Sequence, residues 1–128
     1  MIRKDYIQRY FDELAKVLAV VLQLKNDLKP TEAATKLNDF ATAYLGISFE
    51  EILSLKKNHI SYLINNKDFS ITHFKLLEDL LYHKYLINPS DNQLKKLTLE
   101  VLKYVAENDT DFSIERINRI DYLSAVFG

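Results

Sequence analysis

The sequence predicts an all-α fold: a single domain of five to seven helices, arranged as an antiparallel helical array or bundle. Three observations support this prediction. Apolar residues recur at intervals of three and four along most of the chain, the spacing of one helix face. Residues typical of helix starts precede these runs, and the 128 residues include only two glycines. No segment alternates apolar and polar residues for long enough to predict a strand.

The first predicted helix occupies the start of the chain and ends near Lys25. Its apolar side chains fall within about 160° of a helical wheel, which predicts one buried face centred on Leu14, Leu18 and Val21. The second predicted helix spans roughly Pro30–Leu45, because proline suits a first turn and Gly46 ends the periodic run.

Two short helices are predicted next. Ser48 followed by Glu51 has the spacing of a capping box, and Asn58 can cap a second short segment. The polar residues 65–68 then predict a break in the helical structure.

The second half of the chain predicts three longer helices. The first runs from about Ser70 to Ile87, and the second opens with a capping box made by Ser90 and Gln93. Ser113 can cap the third. The apolar positions of this last helix are Ile117, Ile120, Leu123 and Phe127.

Connections of about four to six residues favour antiparallel neighbours. The helix pair at 70–108 has about the length of a tetratricopeptide unit, although the tryptophan and glycine of that motif are missing. Tetratricopeptide-like stacking and an irregular bundle therefore both stay open.

Length and composition exclude several classes of function. A chain of 128 residues fits one domain, 1–128, and its net charge of −1 is divided into +1 for residues 1–64 and −2 for residues 65–128. We therefore expect no nucleic-acid partner. Cysteine is absent, which excludes disulfides, thiol nucleophiles and cysteine-based metal sites. The longest apolar run, Val17–Leu22, is far shorter than the roughly 20 residues of a membrane span, so we expect a cytoplasmic protein.

Catalytic signatures are not found either. Loops that cradle phosphates need glycines that this sequence does not have. Asp79 and His83, four residues apart, could orient an imidazole or bind a metal, but an ordinary helix-surface contact is the more economical interpretation. The acidic pairs Glu50-Glu51, Glu78-Asp79 and Asp109 with Asp111 are interpreted in the same way. We predict no catalytic, cofactor-binding or metal-binding residue and no cofactor.

The content of eight tyrosines and seven phenylalanines is the most suggestive feature of the composition. Rings at the edge of a helical array can bind a partner or can simply border the core. The candidate partner surface consists of Tyr6, Tyr10, Tyr82, Tyr85 and Tyr104. We therefore expect a non-enzymatic helical module that binds a protein partner, and a homodimer stays open. The alternative is an enzyme or small-ligand-binding protein whose interhelical pocket has no linear motif.

Both ends of the chain carry a resemblance. The opening Met1-Ile2-Arg3-Lys4-Asp5-Tyr6-Ile7 with Arg9, and the segment Phe112-Ser113-Ile114-Glu115-Arg116-Ile117, resemble a family of small uncharacterised bacterial helical proteins, a domain-of-unknown-function group. The likeness covers about the first 25 and the last 15 residues, and Tyr10-Phe11 departs from the family pattern. The resemblance implies a tetratricopeptide-like helical fold and supplies no activity, cofactor or catalytic residue.

Overall fold

The computed structural model describes residues 2–126, with side chains described for residues 8–125. This part of the chain is all-helical, which confirms the predicted fold class. It contains seven α-helices: α1 (Ile2–Asn26), α2 (Pro30–Phe40), α3 (Phe49–Leu53), α4 (His59–Lys67), α5 (Ile71–Ile87), α6 (Asn92–Asn108) and α7 (Ile114–Val126). None of these helices combines the length and apolar character that crossing a membrane requires.

The helices form two compact units, residues 1–55 and residues 56–128, each with its own set of internal contacts. The predicted single domain over 1–128 and the predicted tetratricopeptide-like stacking both stay predictions.

In the first unit, α1 packs along α2. Leu14 and Val21 are buried on α1, as predicted, while Leu18 is half-buried. Leu22 is 59% exposed, so the buried face of α1 is narrower than the apolar sector of its wheel. The complementary face of α2 buries Ala33, Leu37 and Phe40.

The predicted second helix has the expected limits but a different last turn. Regular α2 ends at Phe40, and residues Ala41–Leu45 continue as a π-helical turn before Gly46, whose φ of +70° ends the run. Such wide turns are rare insertions in helices. The Tyr44 ring stacks on the Phe40 ring with the ring centres 4.4 Å apart. It also makes a T-shaped contact with the Tyr10 ring, with the ring centres 4.8 Å apart.

The start of α3 confirms the predicted cap, because the Glu51 backbone N–H donates to Ser48 Oγ at 3.1 Å. The second unit begins differently from the prediction. Asn58 occupies the N-cap position of α4 with φ of +62°, but its side chain makes no capping hydrogen bond. The predicted break at 65–68 is wrong for residues 65–67, which complete α4; only Asp68, at φ +55°, ends the helix.

Helices α5 and α6 form the centre of the second unit and pack along each other. Helix α5 has the predicted limits, and its N-cap residue Ser70 donates its backbone N–H to His73 Nδ1 at 3.0 Å. The capping box at Ser90 is wrong: α6 starts one residue later, and Asp91 Oδ1 accepts from the Leu94 N–H at 3.0 Å. An aspartate caps as well as serine does, and its charge is also favourable at a helix N-terminus.

The last helix, α7, packs against α6. Ser113 caps it as predicted, accepting from the Arg116 N–H at 3.1 Å. Of the apolar positions of this helix, Leu123 is fully buried and Ile120 is half-buried, whereas Ile117 is 40% exposed. Phe127 lies outside the described residues.

Candidate interaction surface on the last helix

A buried, forked ion pair fixes α7 to α5. Arg116 donates from Nε to Glu78 Oε1 at 2.7 Å and from Nη2 to Oε2 at 2.6 Å. Both side chains are less than a tenth exposed. A two-pronged guanidinium–carboxylate contact sets the relative orientation of both groups, so this pair links α7, which packs against α6, to α5 as well.

A second ion pair lies one turn further along α7. Arg119 Nη1 donates to Asp79 Oδ1 at 2.5 Å, and Glu115 approaches Arg119 at 3.6 Å. The Arg119 guanidinium also lies over the Tyr82 ring, 4.4 Å from the ring centre, in cation–π geometry. Arg119 thereby positions the Tyr82 ring beside the helix.

The loop before α7 adds a third charged contact to this cluster. Lys75 Nζ lies 3.1 Å from Asp109 Oδ2 and 3.9 Å from Asp111, and Arg116 lies 3.9 Å from the same Asp109 oxygen. Each buried charge in the cluster therefore has an opposite charge nearby, as burial requires.

The pKa directions agree with this arrangement. Burial raises the pKa of Glu78, and the hydrogen bond and charge of Arg116 oppose that rise. The Glu78 hydrogen bond in turn raises the pKa of Arg116. Burial pushes the pKa of Asp109 upward, but Lys75, the Asp111 N–H and Arg116 together hold it below its ordinary value. Asp109 Oδ2 is buried without a hydrogen bond but lies 3.1 Å from Lys75 Nζ. Each acid of the cluster therefore has a basic partner, and the cluster offers no free acid or base to a substrate.

Beside the ion pairs, an open groove of about 630 Å³ lies between α5 and α7. Its lining combines two tyrosine rings, one aliphatic side chain and three polar side chains. The lining residues are Tyr82, Ile114, Glu115, Asn118, Arg119 and Tyr122. Tyr122 is 47% exposed, so one wall of the groove presents an accessible ring.

The outward side of α7 and the residues before it expose further apolar side chains. Phe112 is 76% exposed and Ile114 is 66% exposed, and both are larger fractions than a buried-core role allows. Ile117 lies three residues after Ile114, hence on the same side of the helix. We call Phe112, Ile114, Ile117 and Tyr122, with the groove beside them, the α7 surface.

The structure separates the five tyrosines of the predicted partner surface. Tyr85 is 1% exposed, so it is a core residue, and its inclusion in an exposed surface is wrong. Tyr10 is half-buried against Tyr44, and Tyr104 is half-buried with its ring 4.8 Å from Phe74. The Tyr6 side chain lies outside the described residues. Among the four of these tyrosines whose side chains the structure describes, Tyr82 lines the groove.

Asp79 and His83, the possible acid–base or metal pair, each make a structural contact with another residue. Asp79 bonds to Arg119, and His83 contacts the edge of the Tyr82 ring at 6.0 Å. His59 Nδ1 lies 3.0 Å from Glu100. Burial lowers the pKa of His73, whose Nδ1 accepts the Ser70 N–H. Across the described residues, no three histidine or acidic side chains gather as a metal site would need.

Sequence reasoning missed Arg116, Arg119 and Tyr122, although two signals pointed to the buried pair. Arg116 precedes the buried Leu123 by seven residues, which puts an arginine on the core side of α7. Glu78 follows the buried Phe74 by four residues, which puts an acid on the core side of α5. A buried base on one helix and a buried acid on another predict each other as partners. No comparable signal identifies Tyr122.

No protein-family model, no curated protein and no solved structure matches the chain.

Proposed function

We propose that this protein is a non-enzymatic binding module that holds a protein partner on the α7 surface. The observation that carries the proposal is the exposure of Ile114 and Tyr122 on a helix fixed from behind by buried ion pairs. Large apolar side chains exposed together mark interaction surfaces more often than they mark ordinary protein surface.

The rigidity of this surface supports binding. Arg116 and Arg119 anchor α7 through α5, so the helix needs little ordering when a partner arrives. Preorganised surfaces lose less conformational entropy on association and therefore bind more tightly for a given contact area. Tyrosine is also among the residues that most often contribute a large share of the binding free energy at protein interfaces.

The groove supports the alternative function less well. A small-ligand site is usually a concave cavity that covers most of its ligand. Here the groove is open, and its arginine already binds Asp79 and the Tyr82 ring. A polypeptide can contact the groove and the exposed side chains of α7 together.

Quantitative affinity capture from cells of the native host tests the proposal. The probe variant is Ile114→Ser with Tyr122→Ala, and the control is Ile64→Ser on α4, which removes another exposed aliphatic side chain of the same unit. We expect at least one captured protein to fall about tenfold with the probe variant, since loss of two interface anchors costs at least ~1.4 kcal/mol. The control variant should retain it.

Equal recovery from all three proteins would contradict the proposal. Melting curves and helical circular dichroism of each variant must match those of the unaltered protein, so that lost capture reports the surface and not the fold. If capture is unchanged, a thermal-shift screen of small molecules tests the alternative.

A further inference from the structure

We propose that the partner segment is a basic amphipathic helix, with apolar side chains on one face and lysine or arginine along its flanks. This inference rests on the proposed function and specifies the chemistry of the partner. It follows from the charges that remain exposed around the α7 surface after the buried pairs are accounted for.

The two bases of α7 are not available to a partner. Arg116 and Arg119 are 8% and 12% exposed, and both donate to acids of α5. No other lysine or arginine occurs between residues 110 and 126. Every base of this segment is therefore directed inward.

The acids of the same segment are directed outward. The side chains of Asp111 and Glu115 are 82% and 74% exposed, although Lys75 lies 3.9 Å from Asp111 and Arg119 lies 3.6 Å from Glu115. Asp121 is also exposed. Counting the buried cluster as well, the residues Lys75, Glu78, Asp79, Asp109, Asp111, Glu115, Arg116, Arg119 and Asp121 comprise three bases and six acids. Asp121 follows Ile114 by seven residues and Tyr122 follows Glu115 by seven, so the α7 surface is a strip of exposed apolar side chains interspersed with acids.

Charge complementarity selects among the possible occupants. In a two-fold contact between copies of the chain, the exposed acids of one α7 surface would meet those of the other, while Arg116 and Arg119 are directed inward in both. Anionic lipid and nucleic-acid phosphates would be repelled in the same way. A polypeptide with basic flanks matches both parts of the surface, and its charges would also favour a correct orientation and fast association.

The length of the strip suggests the helical form. Ile114 and Tyr122 are eight residues apart, or about 12 Å along the axis of α7, which two turns of a partner helix would cover. Helices that dock in this way use apolar side chains at intervals of three and four.

Synthetic peptides test this inference directly. The first is an amphipathic helix with leucines on one face and lysines elsewhere; the second has the same leucines with glutamates; the third has the composition of the first in scrambled order. Fluorescence anisotropy at low salt should show the basic helix binding at least ~10-fold more tightly than the other two, since several charge pairs each contribute a few-fold. Raised salt should reduce that preference.

Two charge variants test whether the preference for the basic helix comes from the acids of α7. Glu115→Gln with Asp121→Asn should weaken the basic helix by about 3- to 10-fold, because each exposed pair contributes a small factor. The matched control, Asp68→Asn with Glu107→Gln, makes the same change in net charge at exposed positions outside α7 and should leave binding unchanged. Amide chemical shifts on titration should change within residues 111–125.

The outcomes separate this inference from the proposed function. Equal binding of the basic and acidic helices, or equal effects of the two charge variants, would overturn the basic partner while leaving the capture result of Ile114→Ser with Tyr122→Ala intact. Sedimentation that shows self-association abolished by that apolar double variant would assign the surface to a second copy and would also overturn it. Binding of vesicles with anionic lipid through the same residues would likewise overturn the basic helix as the partner.

Discussion

Replacement of Arg116 by methionine should destabilise the second unit by about 3–5 kcal/mol near neutral pH. The substitution keeps an apolar chain of similar length but removes both hydrogen bonds to Glu78, at 2.7 and 2.6 Å. The Glu78 side chain is only 7% exposed, so water cannot replace the lost partner. A buried carboxylate without its cation is among the costliest single defects in a protein.

The cost should depend on pH, and its sign follows from the Glu78 pKa. Burial raises that pKa above its ordinary value, and Arg116 opposes the rise, so the variant should raise it further. A carboxyl group with a raised pKa favours folding when protonated, and this contribution is lost as the pH rises through the folded-state pKa. The difference between the variant and the unaltered protein should therefore be smallest in acidic solution, where Glu78 is protonated in both the folded and the unfolded state, and largest in mildly alkaline solution.

Urea unfolding followed by circular dichroism, at about pH 5 and about pH 8, measures both effects. Two control variants are measured in the same way. Glu78→Leu combined with Arg116→Met should recover most of the stability, because the buried carboxylate is removed together with its partner and Asp109 keeps its contact with Lys75. Lys16→Met breaks the ion pair between Lys16 and Glu13, whose side chains are 72% and 35% exposed. This variant should cost at most about 1 kcal/mol. A cost below ~1 kcal/mol for Arg116→Met, or one that is equal at both pH values, would refute the reasoning.

Three further substitutions test the local structure, each by its change in the free energy of unfolding. Asp91→Ala should cost about 1 kcal/mol because it removes the acceptor of the Leu94 N–H, whereas Ser90→Ala should change stability by less than ~0.5 kcal/mol; the reverse order would place the cap at Ser90. Gly46→Ala should cost about 1–2 kcal/mol through its φ of +70° alone, since a Cβ there meets no atom within 4 Å. Leu14→Asp buries a charge at a 2% exposed position and should cost several kcal/mol; an unchanged midpoint would place this side chain outside the core.

Local sequence patterns predicted the fold class and most helix limits because the signals act over one or two turns. Ser48 and Ser113 each accept the backbone N–H three residues ahead, the geometry that their spacing predicted. Where two capping residues adjoin, as at Ser90 and Asp91, the sequence alone did not decide which one begins the helix. The π-helical turn at Ala41–Leu45 had no signal in the local sequence pattern, and the rings of Phe40, Tyr44 and Tyr10 pack together beside it.

The candidate surface was harder to predict because exposure is a property of tertiary packing. Tyr82 and Tyr85 lie three residues apart on one helix, yet Tyr82 borders the groove and Tyr85 is buried. Ile117 continues an apolar pattern with Leu123 in the sequence, but Arg116 takes the inward position because it binds Glu78. A polar contact between distant helices thus turned the apolar side chains of α7 outward.

Site-specific photo-cross-linking in cells of the native host tests the central claim most directly. A photoreactive phenylalanine analogue replaces Ile114, which is 66% exposed, or, as the control, Ile64, which is 37% exposed on α4. The account predicts a discrete cross-linked protein from position 114 that is lost when Tyr122→Ala is added, and no such product from position 64. The absence of any adduct at position 114, or the same adducts from both positions, would contradict the assignment of α7 as the binding surface.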